Sequence, residues 1–224
     1  MLNQWALLFL VSGVCTALMI TKDIFLYRQP GRLMNLIWPL TGLYLPFIGW
    51  LAWWYLGRIP RHQLKAALLI SPKSSRYRGW QALFIATAIS AAACILAEAL
   101  TLPIITLLNY LKIPLLIWQQ AAISLLLSFL LLLLFQFFSL PQHEKKSFWQ
   151  RLSLAFKRSA FPLLICQAGI FFFMALALKF VLHQQINPSR TLFWFMLQLA
   201  MMTGFVFSWP ANHFIIKRGI NPVL

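Results

Sequence analysis

The sequence predicts an all-α fold, a polytopic membrane helix bundle of about six transmembrane helices with both termini in the cytoplasm. Three observations predict it. The chain is 61% hydrophobic and only 10% charged, with a mean hydropathy of +0.78. Soluble domains hold about 45–50% apolar and about 25% charged residues. The apolar residues gather into runs that approach or exceed the roughly 20 residues a helix needs to cross a bilayer. The basic residues fall between those runs, unequally on alternate sides. A soluble fold of 224 residues has no interior for so much apolar surface, so lipid must be the solvent for most of it.

The spans read as residues 5–20, 36–56, 80–100, 115–138, 161–182 and 192–216, within a single transmembrane domain of residues 1–224. The first is the shortest and either continues past Lys22 and Asp23 to Tyr27 or relies on a locally thin bilayer. Its leading residues Met1-Leu2-Asn3-Gln4 carry no Lys or Arg, no Ala-x-Ala follows, and bulky Val14 precedes Cys15. The segment is therefore read as a retained helix, not a cleaved signal. The third span opens at Trp80. Residues 101–114 hold one charge, Lys112, and two prolines, Pro103 and Pro114. Three readings stay open there: a kinked extension of the third helix, an interfacial segment, or a re-entrant one. The sixth span carries Pro210, which removes a helix hydrogen bond and favours a kink.

Orientation follows from the Lys and Arg in each connection. The N-terminal tail has none; the first loop has Lys22, Arg28 and Arg32; the second has Arg58, Arg61, Lys65, Lys73, Arg76 and Arg78. Lys112 is alone in the third loop, and Lys145, Lys146, Arg151, Lys157 and Arg158 fill the fourth. Lys179 and Arg190 flank the fifth, and Lys217 and Arg218 close the chain. Six crossings place thirteen of these on the side of both tails and six on the other. The richer side is the cytoplasmic one, which makes this a multi-pass protein of a bacterial inner membrane. Trp38, Trp80, Trp118, Trp149, Trp194 and Trp209 mark the boundaries as interfacial aromatics do. Residues 58–75 and 143–158 mix bases with Leu64, Leu68, Leu69, Phe148, Leu152 and Phe156. They read as amphipathic helices on anionic headgroups of the inner leaflet, with docking of a membrane-protein partner as the alternative. The net charge of +16 does not indicate nucleic acid, because the bases sit between apolar runs and not along one polar face.

Catalytic signatures are missing from the sequence: no Gly-x-Ser-x-Gly, His-Glu-x-x-His, phosphate loop or paired carboxylates. With Asp23, Glu98 and Glu144 the only acids, acid–base chemistry has little to work with, and the chain reads as a non-enzyme without a cofactor. Glu98 is the one acid inside a predicted span, so it is either a cation or proton site or a carboxylate reaching the outer interface. Cys94 lies one helical turn earlier on the same face. Cys94 and Glu98 are the available metal donors, but two ligands do not complete a site, and a buried Cys usually serves packing. The three cysteines, Cys15, Cys94 and Cys166, are far apart in sequence and suggest no disulfide framework. Gln167 and Gln198 are expected to hydrogen-bond neighbouring helices. Asn212 and His213 follow Pro210, where Asn212 is placed to satisfy a freed backbone group; His213 is of a residue type that can titrate near neutrality, but a lone interfacial His usually has a structural role. His62, His143 and His183 form no spaced pair.

Two stretches carry a family resemblance. One is Met34-Asn35-Leu36-Ile37-Trp38-Pro39-Leu40-Thr41-Gly42-Leu43-Tyr44; the other joins Phe193-Trp194-Phe195-Met196-Leu197-Gln198 to Pro210-Ala211-Asn212 and Ile216-Lys217-Arg218-Gly219-Ile220. Together they resemble a bacterial membrane family, the domain of unknown function numbered four thousand three hundred and ninety-six. The resemblance implies a Ser-His-Cys-Gly-x-Gly-Cys-Thr-Leu-Gly-Asp motif in the third helix and an association of some members with copper handling. This chain departs from that motif, with Ile89 at its His, Ser90 at its first Cys, Ala91 and Ala93 at its glycines, Cys94 at its second Cys and Glu98 at its Asp. Ser159 and Gln167 stand where the resemblance places acids. Scarce intramembrane charge and the eroded motif lean toward a non-catalytic scaffold or assembly component of a membrane complex. The alternatives are a small-solute or ion transporter or sensor, and copper or other soft-metal handling by analogy.

Overall fold

The computed structural model describes residues 2–27, 33–58, 79–113, 115–139, 148–182 and 190–218. The described residues form helices and turns and contain no strand. Among the described residues, five helices are long and apolar enough to cross a membrane. They are α1 (Leu2–Leu26), α4 (Trp80–Tyr110), α5 (Ile117–Ser139), α6 (Phe148–Phe180) and α7 (Thr191–Lys217). Between α1 and α4 lie two short helices, α2 (Met34–Tyr44) and α3 (Ile48–Ala52), the latter running into a π-helical turn at Trp53–Gly57.

The expected second span, 36–56, is the correction. It is a hairpin. α2 has 11 residues, about 16 Å at about 1.5 Å per residue, against a hydrocarbon core of about 30 Å. It ends at Tyr44; Phe47 takes φ 63°, and the chain turns back. The return is visible in the contacts. A Cβ on Gly49 would lie 2.8 Å from Gly42 Cα, the Trp38 and Trp53 rings stand 5.5 Å apart, and a Cβ on Gly57 would meet Trp38 at 3.0 Å. At the base of the hairpin, Arg58 pairs with Asp23 at 3.4 Å and stacks on Tyr27, both at the end of α1. Residues 34 and 58 therefore sit at the same end of α1. Hydropathy concealed the hairpin because its two arms together are as apolar as one span.

The other expectations on elements resolve simply. The first helix continues past Lys22 and Asp23 to Leu26, the longer of its two readings. The segment 101–114 extends the third predicted span, since α4 passes Pro103 and stops at Tyr110, before Lys112 at φ 59°. Residues 148–158 are the first turns of α6, continuous with the predicted span 161–182 and not a separate surface helix. Residues 59–78 and 140–147, where the other amphipathic segments were expected, lie outside the described residues, as do His62, His143 and His183.

α4 is the central helix and touches α2, α5, α6 and α7. Its near half is small and buried: Ala82, Ala86, Ala88, Ala91, Ala92, Ala93 and Ala97 let neighbours approach closely. α6 and α7 share the most extensive contact. There Gly169 and Gly204 face each other, and a Cβ on Gly204 would lie 2.9 Å from the Cys166 carbonyl oxygen. Small residues at such crossings replace the hydrophobic drive that lipid cannot supply.

Candidate functional site

The polar residues of the bundle interior converge on one turn of α4. Ser124 of α5 donates its hydroxyl to Glu98 Oε1. Gln167 of α6 donates from Nε2 to Ser128 Oγ at 2.5 Å, with Ser124 Oγ at 3.5 Å. Ser128 in turn donates to the Ser124 carbonyl at 2.8 Å. One turn back on α4, Cys94 Sγ lies 3.6 Å from Cys166 Sγ of α6, both thiols free and fully buried. Glu98, Ser124, Ser128, Gln167, Cys94 and Cys166 thus bind α4, α5 and α6 together through polar contacts.

The hairpin tip completes the other side of Glu98. Tyr44 is buried with its ring 6.0 Å from Phe205 of α7. Gln198 of α7 donates from Nε2 to the Leu43 carbonyl oxygen at 2.6 Å. That carbonyl belongs to the last turn of α2, where helix carbonyls lack intrahelical partners. Backbone without regular pairing is tolerated at bilayer depth only when protein or a water-filled cavity covers it, and Gln198 supplies that cover. Gly13 of α1 makes room: a Cβ there would collide with the Leu43 carbonyl oxygen and stand 2.5 Å from Gln198 Nε2.

Two cavities meet at this place. One, of about 360 Å³, lies among α1, the hairpin tip, α4 and α7. The other, of about 130 Å³, lies among α4, α5, α6 and α7. Glu98 and Leu197 line both. A carboxyl group standing between two cavities, beside the end of α2, can bind a cation or a hydrogen-bond donor entering from either one.

Residues 79–221 match the family model for a domain of unknown function, DUF4396. The chain belongs to the DUF4396 family. No characterised protein and no solved structure matches it. The DUF4396 match covers α4 through α7, the part of the chain that holds the polar cluster. Residues 34–44, which carried part of the resemblance in the sequence, lie before the matched region. In this DUF4396 chain Ile89 and Ser90 are buried packing positions on α4, and Ser159 bonds the Ala155 carbonyl of its own helix.

The structure brings together four of the expected residues, Cys94, Glu98, Gln167 and Gln198. It leaves two apart. Asn212 donates to the Ser208 carbonyl within α7 at 3.0 Å, and His213 is exposed near the other end of that helix. Among the described residues no three His, Cys, Asp or Glu side chains gather as metal ligands would. Sequence reasoning missed Ser124, Ser128 and Cys166 as partners, and Leu43 and Tyr44 as the tip of a hairpin. Cys94 and Cys166, treated in the sequence as unrelated, are in contact because α4 and α6 pack side by side.

Proposed function

We propose that the protein is a non-catalytic carrier of the bacterial inner membrane, which binds a small solute or ion in the cavity beside Glu98 and passes it across the bilayer. The observation that carries this reading is the position of Glu98 in the wall shared by the two cavities. An acid within a membrane segment is costly to keep there and marks a pathway by default. A short helix, α2, that ends inside the bundle and lines a cavity is the second feature, since carriers place sites where helices stop within the membrane. Scarce intramembrane charge argues for a scaffold, but the argument loses force when an acid in the middle of the bundle lines two cavities. The face carrying most of the bases is taken as cytoplasmic, resting on anionic headgroups.

A substrate-independent test is labelling. Ala99 is exposed and lines the larger cavity. In a Cys15→Ala background, Ala99→Cys should react with a membrane-impermeant methanethiosulfonate reagent added from at least one face. Failure to react from either face in sealed vesicles, with the protein folded, would mean a dry cavity and defeat the carrier reading.

A further inference from the structure

The chemistry of the larger cavity selects one class of solute. We infer that it takes a small organic monocation, an ammonium group on an apolar body, with the charge at Glu98; this rests on the carrier reading above. Four features point the same way. Glu98 is the only ionisable acid in the lining, and no Lys, Arg or His accompanies it. Gln198 spends one amide N–H on the Leu43 carbonyl, while its Oε1 is buried without a partner among the described residues. Ala99, also in the lining, has its carbonyl four residues before Pro103, which has no N–H to give. Finally α2 ends at the cavity, so its last carbonyls direct the negative end of the helix dipole at it.

The one charge of the lining is therefore negative, and the donors beside it, the Tyr44 hydroxyl and the second amide N–H of Gln198, are neutral. An anion would meet the Glu98 carboxylate with no cation beside it. A neutral apolar solute would leave that carboxylate without a counter-charge, which is costly out of water. A bare metal cation of the calcium or magnesium kind needs about six or more oxygen ligands, and the remaining walls are mostly aliphatic and aromatic side chains. An ammonium ion on a hydrocarbon body satisfies both parts: its N–H groups meet the acceptors, and its body meets the apolar wall. Trp194 and Tyr44 in the lining add aromatic faces, which attract cations. The volume, about 360 Å³, falls within the roughly 300–1,000 Å³ typical of small-molecule pockets.

The test compares radiolabelled 2-phenylethylamine with 2-phenylethanol, which has the same apolar body and no charge, on the whole protein in nanodiscs. The amine should bind saturably and the alcohol at least tenfold more weakly. Glu98→Gln should weaken the amine at least tenfold and leave the alcohol unchanged. Ala99→Phe, which fills the cavity from an exposed position and spares the carboxyl group, should abolish amine binding in a protein of normal elution volume. Equal binding of amine and alcohol, or amine binding indifferent to both variants, overturns the inference. So does a labelled, water-accessible Ala99→Cys cavity that binds no amine, which leaves the carrier reading standing; an unlabelled cavity removes both.

Discussion

At the scale of single residues, the hydrogen bond from Gln198 to the Leu43 carbonyl matters more than its chemistry alone suggests. A neutral hydrogen bond contributes about 0.5–1.5 kcal/mol net, but a buried acceptor left without one costs about 1–3 kcal/mol. The Leu43 carbonyl takes its bond from Gln198 inside the bundle, so the second figure decides. Gly13 permits the bond by having no Cβ beside it. Gly13→Ala should therefore push Gln198 and the hairpin tip away and destabilise the protein by about 1–3 kcal/mol. Ala6→Gly on the same buried face of α1 would remove packing without intruding, and should cost about 1 kcal/mol or less. Thermal unfolding in detergent reads the difference, and equal midpoints for the two variants would count against the cap. The sequence marked Gln198 as a helix-bridging amide, but a carbonyl acceptor has no sequence signature. Glu98 was legible because an acid within a span is rare. Its partners were not, because Ser and Cys are ordinary packing residues. They also come from distant turns, 26 positions away for Ser124 and 72 for the Cys94–Cys166 pair.

At the scale of elements, the hairpin is held at both ends. Its tip is capped by Gln198. Its base is clasped by Asp23, which accepts from Trp53 Nε1 at 2.8 Å and pairs with Arg58 at 3.4 Å. Arg58 lies over both Tyr27 and Trp54, 4.0 Å from each ring centroid. The ion pair is about a quarter exposed on each side, so solvent screening keeps its own share near the upper end of surface pairs, about 1 kcal/mol or less. The bond from Trp53 goes to a charged acceptor and contributes about 1.5–3 kcal/mol. Asp23→Ala should thus cost more than Arg58→Ala removes through charge alone. A double-mutant cycle of the two should return a coupling of about 0.5–1 kcal/mol, read by unfolding in mixed micelles. A coupling of zero would leave the stacking on Tyr27 and Trp54 as the role of Arg58. The five long helices were legible because each offers a run of apolar residues that only lipid can solvate. The hairpin was not, since lipid solvates two short apolar arms as readily as one long one. Pro46 and the paired small residues Gly42 and Gly49 are the signs that a turn was there.

At the scale of the whole molecule, replacing a crossing by a hairpin changes which side each end faces. Five crossings, one for each long apolar helix among the described residues, would put the two termini on opposite sides, where six would put them together. The start of α1 lies with the start of α7, as the Phe9 and Phe195 rings 5.6 Å apart show. The end of α1 lies with the hairpin base. Distributed over five crossings, sixteen of the 19 Lys and Arg fall in or beside connections on the side of the C-terminus. Lys112, Lys179 and Arg190 fall on the other. Six crossings gave only thirteen against six, because they carried Lys22, Arg28 and Arg32 to the wrong side. The sharper asymmetry supports the hairpin independently of its contacts. We propose on that count that the C-terminus faces the cytoplasm and the N-terminus the opposite side, where the sequence reading has both tails inside. Single cysteines in a background without native thiols decide the matter in intact cells. Asn3→Cys and Lys112→Cys should react with an impermeant maleimide, while Leu33→Cys and Lys217→Cys should stay protected until the membrane is opened. The residues that discriminate are Asn3 and Leu33. Protection of Asn3→Cys with labelling of Leu33→Cys would restore a sixth crossing, and with it the paired tails.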